Sequence, residues 1–316
     1  MNELHLAHRE IMWNITTPVV MYILFIVALI IFGYGTYKRI KFYLNGQPDN
    51  ERLQNLPLRL FLVSKEMLRR LLLMIKETLT QNRVRDSIFP GIFHSLIFYS
   101  FVILVITTAI IALDYDFGTS FFNGYVYVFF TVLSELAGLL ILVGVLMAAY
   151  RRYIKRPETI DTKTGDTIAL ILLALIVITG FMVEGLRIAT AGDKWAFLSF
   201  VGLGVSRLFT GITEDTGRIM HKMFWWFHAA LAFGWIATLP YTKFFHILTL
   251  PANIFFAKLK PRGELRRVDI EALMTSEDFN EENFKIGVEK ATDFTWKQRL
   301  DFDACISCGR CEEVCP

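Results

Sequence analysis

The sequence predicts an all-α membrane protein in which five transmembrane helices are followed by the start of a water-soluble, cysteine-bearing segment. Three observations predict it. The 316 residues are 54% hydrophobic, with 28 Phe and a positive mean hydropathy, far above an ordinary soluble chain. Five apolar stretches are each near or above the roughly 20 residues needed to cross a hydrocarbon core. All four cysteines fall within the last dozen residues, after the composition has turned polar.

The lead-in from Met1 to Thr17 is short and amphipathic and carries His5 and His8. It has no basic n-region, and the apolar run after it ends in KRIK and not in a small-residue cleavage site, so it does not read as a cleavable signal. Pro18 opens the first span, Val19 to Tyr37. The second runs from about Ile88 to Leu113, the third from Tyr125 to Tyr150, the fourth from Thr167 to Ala191 and the fifth from Met223 to Leu250. Pro240 interrupts the fifth, which a bundle tolerates. The run from Trp195 to Phe209 is short and broken by glycines, so it reads as interfacial or re-entrant.

Lysine and arginine placement sets the orientation. Lys38 to Ser87 holds eleven and Arg151 to Asp166 holds five, against none in Asp114 to Gly124 and three in Gly192 to His221. The first two loops are therefore expected in the cytoplasm, the N-terminus outside, and everything after Leu250 inside. Within the first basic loop, RLFLVSKEMLRRLLLMIKETL repeats apolar residues at helical spacing between cations, a pattern suited to the membrane surface or to a partner.

Ionisable groups are costly in a bilayer and mark function when they occur there. On a continuous fifth helix, His228 and His246 would point the same way about 27 Å apart, one near each face. His94 enters the second span from the cytoplasm to the depth at which His246 leaves the fifth, so the two imidazoles could ligate one haem. His228 and His221 lie two turns apart, too far to sandwich one iron, and His221 reads either as a quinone donor or as an interfacial histidine. Glu135 falls midway along the third span, as a proton relay to quinone or a protonated, hydrogen-bonded acid. Glu184 and Arg187, one turn apart, read as a local ion pair or a holder of a haem propionate.

The polar tail ends in DFDACISCGRCEEVCP, where Cys305, Cys308, Cys311, Cys315 and Pro316 reproduce the C-x2-C-x2-C-x3-C-P run of bacterial ferredoxins. Such spacing wraps three thiolates round one 4Fe-4S cluster, whereas zinc favours separated pairs. It is metal-site usage, not a disulfide framework. In two-cluster folds the fourth cysteine serves the other cluster, so the natural chain is expected to continue beyond Pro316 with a second one.

WWFHAALAFGWIATLPYTKFFHILTLP in the fifth span and GIFHSLIF at His94 resemble the fifth and second helices of the nitrate reductase gamma subunit, a five-helix dihaem cytochrome b that oxidises quinol. The resemblance implies that His94 and His246 ligate the cytoplasm-proximal haem b and His228 one side of a distal haem. The family's second histidine on helix two falls here at Leu104. The distal haem is then missing, five-coordinate, or ligated from elsewhere, with His221, His5 and His8 the histidine candidates. Joined to FTWKQRLDFDACISCGRCEEVCP, the whole is similar to membrane oxidoreductases that fuse such a cytochrome to a heterodisulfide-reductase-like iron-sulfur protein, the electron-transfer flavoprotein:menaquinone oxidoreductases among them.

The organisation expected is a transmembrane haem b domain over residues 1–250, a cytoplasmic linker over 251–300 and the start of a ferredoxin-like domain over 301–316. The resemblance implies a redox enzyme of a prokaryotic inner membrane. Electrons would pass from reduced electron-transfer flavoprotein through 4Fe-4S clusters and one or two haems b to menaquinone. Alternatives are a heterodisulfide-type membrane disulfide reductase and a non-catalytic haem and iron-sulfur anchor. A transporter has no use for a ferredoxin motif, and nothing suggests a nucleic acid partner. Lipid and quinone are expected partners, and the sequence leaves oligomerisation open.

Overall fold

In a computed structural model the described residues are 3–49, 64–259, 270–275, 287–313 and 315. Among them the regular structure is helical, as the apolar periodicity requires. The helices used below are α1 (Pro18–Leu44), α2 (Lys65–Thr80), α3 (Ile88–Phe117), α4 (Gly124–Ala149), α5 (Thr164–Ala191), α6 (Phe200–Ser206), α7 (Glu214–Thr238), α8 (His246–Phe255) and α9 (Trp296–Asp303). Four described helices are long and apolar enough to cross a membrane: α1, α3, α4 with its continuation to Lys155, and α5. Large apolar side chains such as Ile30, Phe129, Leu146 and Ile178 stand exposed on them, as lipid-facing residues do.

The chain divides into two compact units. The first comprises Met1–Gly33, Gln81–Lys243 and Ser307–Pro316. Its helices pack α3 on α4, α4 on α5, and α5 on α6 and α7. Lipid supplies no hydrophobic drive between helices, so contacts there depend on close approach over small residues. A Cβ on Gly144 would lie 2.7 Å from Ile97 Cγ1 and 3.0 Å from the Phe93 carbonyl, and one on Gly138 would lie 2.5 Å from Phe181 Cζ. Beside these glycines, Ile141, Val145, Leu173 and Val177 form a buried cluster against which Ile97, Phe101 and Leu104 pack. The N-terminal lead-in closes a second cluster, Ala7 with Phe122, Tyr127, Trp195 and Leu198. Its register is set at Gly124, whose φ of +59° excludes most side chains and whose N–H donates to the Ala7 carbonyl at 2.6 Å.

The expected fifth span is a helix, a turn and a second helix. α7 ends at Thr238, Leu239–Tyr241 forms a 3-10 turn around buried Pro240, Thr242 is extended (φ −125°, ψ 171°), and α8 begins at His246. The physical reason is Pro240, which lacks an N–H and clashes with the preceding turn. The same-face relation expected of His228 and His246 on one continuous helix is therefore withdrawn. The Trp195 to Phe209 run is the short α6 flanked by two 3-10 turns.

The second unit comprises Tyr34–Thr80 and Phe244–Ile306. Buried Arg70 joins α2 to the end of α8, donating to the carbonyls of Phe255 (3.0 Å) and Ala257 (2.8 Å) while pairing with Glu66 at 2.8 Å. Arg299 on α9 donates to the Phe42 carbonyl at 2.9 Å. Asp303 at the end of the same helix accepts from Arg39 and Tyr43 of α1. The first of the two basic loops contains α2, and residues 50–63 of it lie outside the described residues, as do 260–269 and 276–286 of the expected linker.

Packing at Gly144 gives the first prediction. Gly144→Leu is expected to destabilise the bundle by about 1–3 kcal/mol, the usual cost of overpacking. Gly33→Ala, at a position with nothing within 4 Å, should be close to neutral. Denaturant titration of both variants in detergent, followed by circular dichroism, measures the difference.

Candidate functional site

His228 lies on the face of α7 that packs on α5. Gly180 of α5 has no side chain, and a Cβ there would come within 3.4 Å of His228 Cε1, so the imidazole rests directly against the α5 backbone. One helical position earlier, Thr179 Oγ1 is 3.0 Å from His228 Nδ1. The Thr179 hydroxyl proton is already directed to the Leu175 carbonyl at 2.7 Å. With the hydroxyl donating to Leu175, its oxygen accepts from the imidazole, an assignment that puts the proton on Nδ1 and the lone pair on Nε2. A metal-binding histidine is built this way, with one nitrogen tied to a neighbour and the other presented. Neither Thr179 nor Gly180 stood out in the sequence; the one signal available was a Thr-Gly pair directly after the aliphatic run Ile168 to Ile178.

His221, two turns earlier on α7, is 2% exposed, and its Nδ1 is buried without a hydrogen-bond partner. Trp13 meets its ring edge-on at 4.7 Å between centroids. His94, half-buried on α3, stacks on Phe98. His246 is the half-buried first residue of α8. His94 belongs to the first compact unit and His246 to the second. His5 and His8 of the lead-in are exposed. Leu104 packs against the apolar cluster on α4 and α5.

The three expected membrane charges share one region. Arg187 Nη2 is 2.9 Å from Glu184 Oε1 and 2.7 Å from Asp193, a buried carboxylate that also accepts from the Trp195 amide at 2.8 Å. Ser199 donates to Glu184 at 2.8 Å, and Arg9 of the lead-in reaches Glu184 at 3.3 Å. Glu135 accepts from the amides of Val201 (2.5 Å) and Gly202 (3.0 Å), the first turn of α6, where unpaired N–H groups need an acceptor. These carboxylates thus pin α6 and the lead-in to α4 and α5. Arg9 and Ser199 could not be paired with Glu184 from sequence, nor Asp193 with Arg187, because these partners lie outside α5 and its periodicity.

The cysteines follow α9, which a Thr295 and Gln298 capping box begins. All four are exposed free thiols. Between them Ser307 and Gly309 take positive φ (55° and 78°), and a Cβ on Gly309 would lie 2.3 Å from the Thr159 carbonyl, so only glycine fits. Among the described residues no three His, Cys, Asp or Glu side chains already converge on one point. The donor set itself, four thiols in eleven residues on a turning backbone, suits an iron-sulfur cluster that gathers its ligands on binding.

Residues 92–260, more than half of the chain, match the profile of the nitrate reductase gamma subunit. The chain belongs to the nitrate reductase gamma subunit family. Residues 296–316 match a 4Fe-4S binding domain, so this member joins the family's membrane domain to an iron-sulfur segment. It is 29% identical over 96% of its length to the EtfAB:quinone oxidoreductase of Syntrophomonas wolfei, covering 41% of that protein. It is 27% identical over 72% of its length to the probable iron-sulfur-binding oxidoreductase FadF of Bacillus subtilis, covering 31% of it. Over 57 residues it is 51% identical to a probable membrane-anchored ferredoxin of Chromohalobacter salexigens. The chain thus spans well under half the length of these relatives. No solved structure matches it.

Removing one member of the buried charge cluster isolates its cost. Arg187→Ala would leave Glu184 and Asp193 short of their shared counter-ion and is expected to destabilise the protein by about 3–5 kcal/mol. Chemical unfolding of the variant beside the natural chain reads this directly.

Proposed function

We propose that this chain is the membrane electron-transfer part of an oxidoreductase. It would carry electrons from a cytoplasmic donor, reduced electron-transfer flavoprotein, through 4Fe-4S clusters and haem b to menaquinone in a prokaryotic inner membrane. One observation carries the reading: a gamma-subunit membrane domain and a ferredoxin cysteine run are joined in a single chain that is similar over 96% of its length to an EtfAB:quinone oxidoreductase. The excess of lysine and arginine in the two basic loops supports a cytoplasmic cysteine segment and an N-terminus outside.

Each residue's part follows from its chemistry. When bound, the haem and the clusters supply one-electron steps between a flavin and a quinone. Cys305, Cys308, Cys311 and Cys315 are the cluster thiolates. His94 and His246 would hold one haem through their imidazoles, and His228, with Nε2 presented, would hold a second. Leu104, in its apolar cluster, offers that second haem no nitrogen. Thr179 is a positioning residue, holding the His228 ring and its proton. His221, buried with an unpartnered nitrogen, is a hydrogen-bond donor for a quinone carbonyl. Glu135, Glu184 and Arg187 keep the outer region rigid, since their charges are met within the protein. For Glu135 this cap role is better supported than proton relay, because Oε2 is committed to two amides.

Anaerobic mixing with reduced electron-transfer flavoprotein should reduce haem b, and a menaquinone analogue should reoxidise it. Inertness toward the flavoprotein, with reduction by menaquinol and reoxidation by a disulfide, would reassign the protein to the disulfide reductases. At the haem, Thr179→Val should raise the midpoint potential of the His228 haem and loosen its retention by about tenfold, because a ligand without its Nδ1 partner is a weaker donor. Thr179→Ser should restore both. A redox titration that finds natural, Val and Ser proteins alike would remove Thr179 from the site.

A further inference from the structure

The helix α2 is turned inside out for a water-facing helix. Its exposed residues are Lys65, Leu68, Arg69, Leu72, Ile75, Lys76 and Leu79, and they lie on one continuous face. At about 100° per residue the four aliphatics occupy an arc of about 60°, with the three cations in an adjoining arc of about 40°. The leucines are not marginally exposed: Leu68, Leu72 and Leu79 keep 56%, 57% and 53% of their surface. Both acids, Glu66 and Glu77, lie off this face and are half-buried. The opposite side is held by Arg70, whose bonds to the Phe255 and Ala257 carbonyls fix how α2 is presented.

Along the cationic edge is a cavity of about 330 Å³ lined by Arg69, Leu72, Leu73, Lys76, Lys258 and Leu259. Among the described residues the lining is three cations and three leucines, with no carboxylate. We propose that α2 lies in the membrane interface and that this cavity binds the phosphate headgroup of an anionic phospholipid. The occupant follows from the complementarity. A diester phosphate meets Arg69, Lys76 and Lys258, its acyl chains continue onto Leu68, Leu72, Ile75 and Leu79, and the absence of acids from the face removes any repulsion. A soluble acidic partner would satisfy the cations and leave the aliphatic arc in water. A neutral lipid would cover the arc and leave the exposed Arg69 and Lys76 charges without a counter-ion.

Two measurements on the intact cofactor-loaded protein test this. Delipidated protein in mild detergent is titrated with phosphatidylglycerol or phosphatidylcholine, and bound lipid is counted by native mass spectrometry. Phosphatidylglycerol should bind about tenfold or more tightly than phosphatidylcholine, and the Arg69→Gln/Lys76→Gln/Lys258→Gln variant should lose that preference. Equal binding of the two lipids, or a preference unchanged in the variant, overturns the proposal. Independently of that variant's folding, Leu72→Trp in vesicles of phosphatidylglycerol with brominated acyl chains should gain indole fluorescence that the bromines quench. Added emission that escapes quenching would mean that protein or water, and not lipid, covers the face.

Discussion

Hydrocarbon leaves no polar group a partner except one the protein supplies, and the rest of this fold follows from that constraint. It makes the spans helical, since only a helix bonds its own backbone. It also makes each interruption depend on a specific acceptor or donor. α6 is too short to cross, and its first amides are met by the Glu135 carboxylate from α4. Arg187 is flanked by Glu184 and Asp193, and Glu184 in turn takes Ser199 and Arg9. A buried network of this kind contributes little net stability against an apolar replacement, yet it cannot lose one member cheaply. Its yield is geometric: lead-in, α4, α5 and α6 are held in one arrangement.

The same constraint prepares His228 for its proposed role. An imidazole has two nitrogens and one proton when neutral, so the neighbour of one nitrogen decides what the other can do. Thr179, when it donates to the Leu175 carbonyl, is the acceptor for an Nδ1 proton, the assignment that leaves Nε2 with the lone pair. Gly180 beside it removes the side chain that would otherwise hold the ring away. Two consecutive small residues on α5 thus set both the distance and the protonation of a histidine on α7.

α2 meets the opposite physical situation. Its buried side carries Arg70, engaged by two backbone carbonyls and Glu66, while Leu68, Leu72, Ile75 and Leu79 face outward. Such an inversion is costly in water and favourable at a lipid boundary, where cations at the edge of an apolar arc can reach the phosphates.

The all-α membrane class, the four long spans and the cysteine run were legible in the sequence because each depends on local composition or fixed spacing. His94, His221, His228 and His246 stood out for the same reason, as ionisable groups in apolar surroundings. Continuity of the fifth span was not legible: Pro240 permits either a kinked helix or a break, and the packing around the buried proline chose the break. Nor could sequence show that Thr179 faces His228, that Glu135 caps α6 or that Arg9 reaches Glu184, since those partners are separated by 49, 66 and 175 residues. Periodicity reports which side of a helix is apolar, but it carries no information about which distant side chain is brought against it. That is decided only when the helices pack.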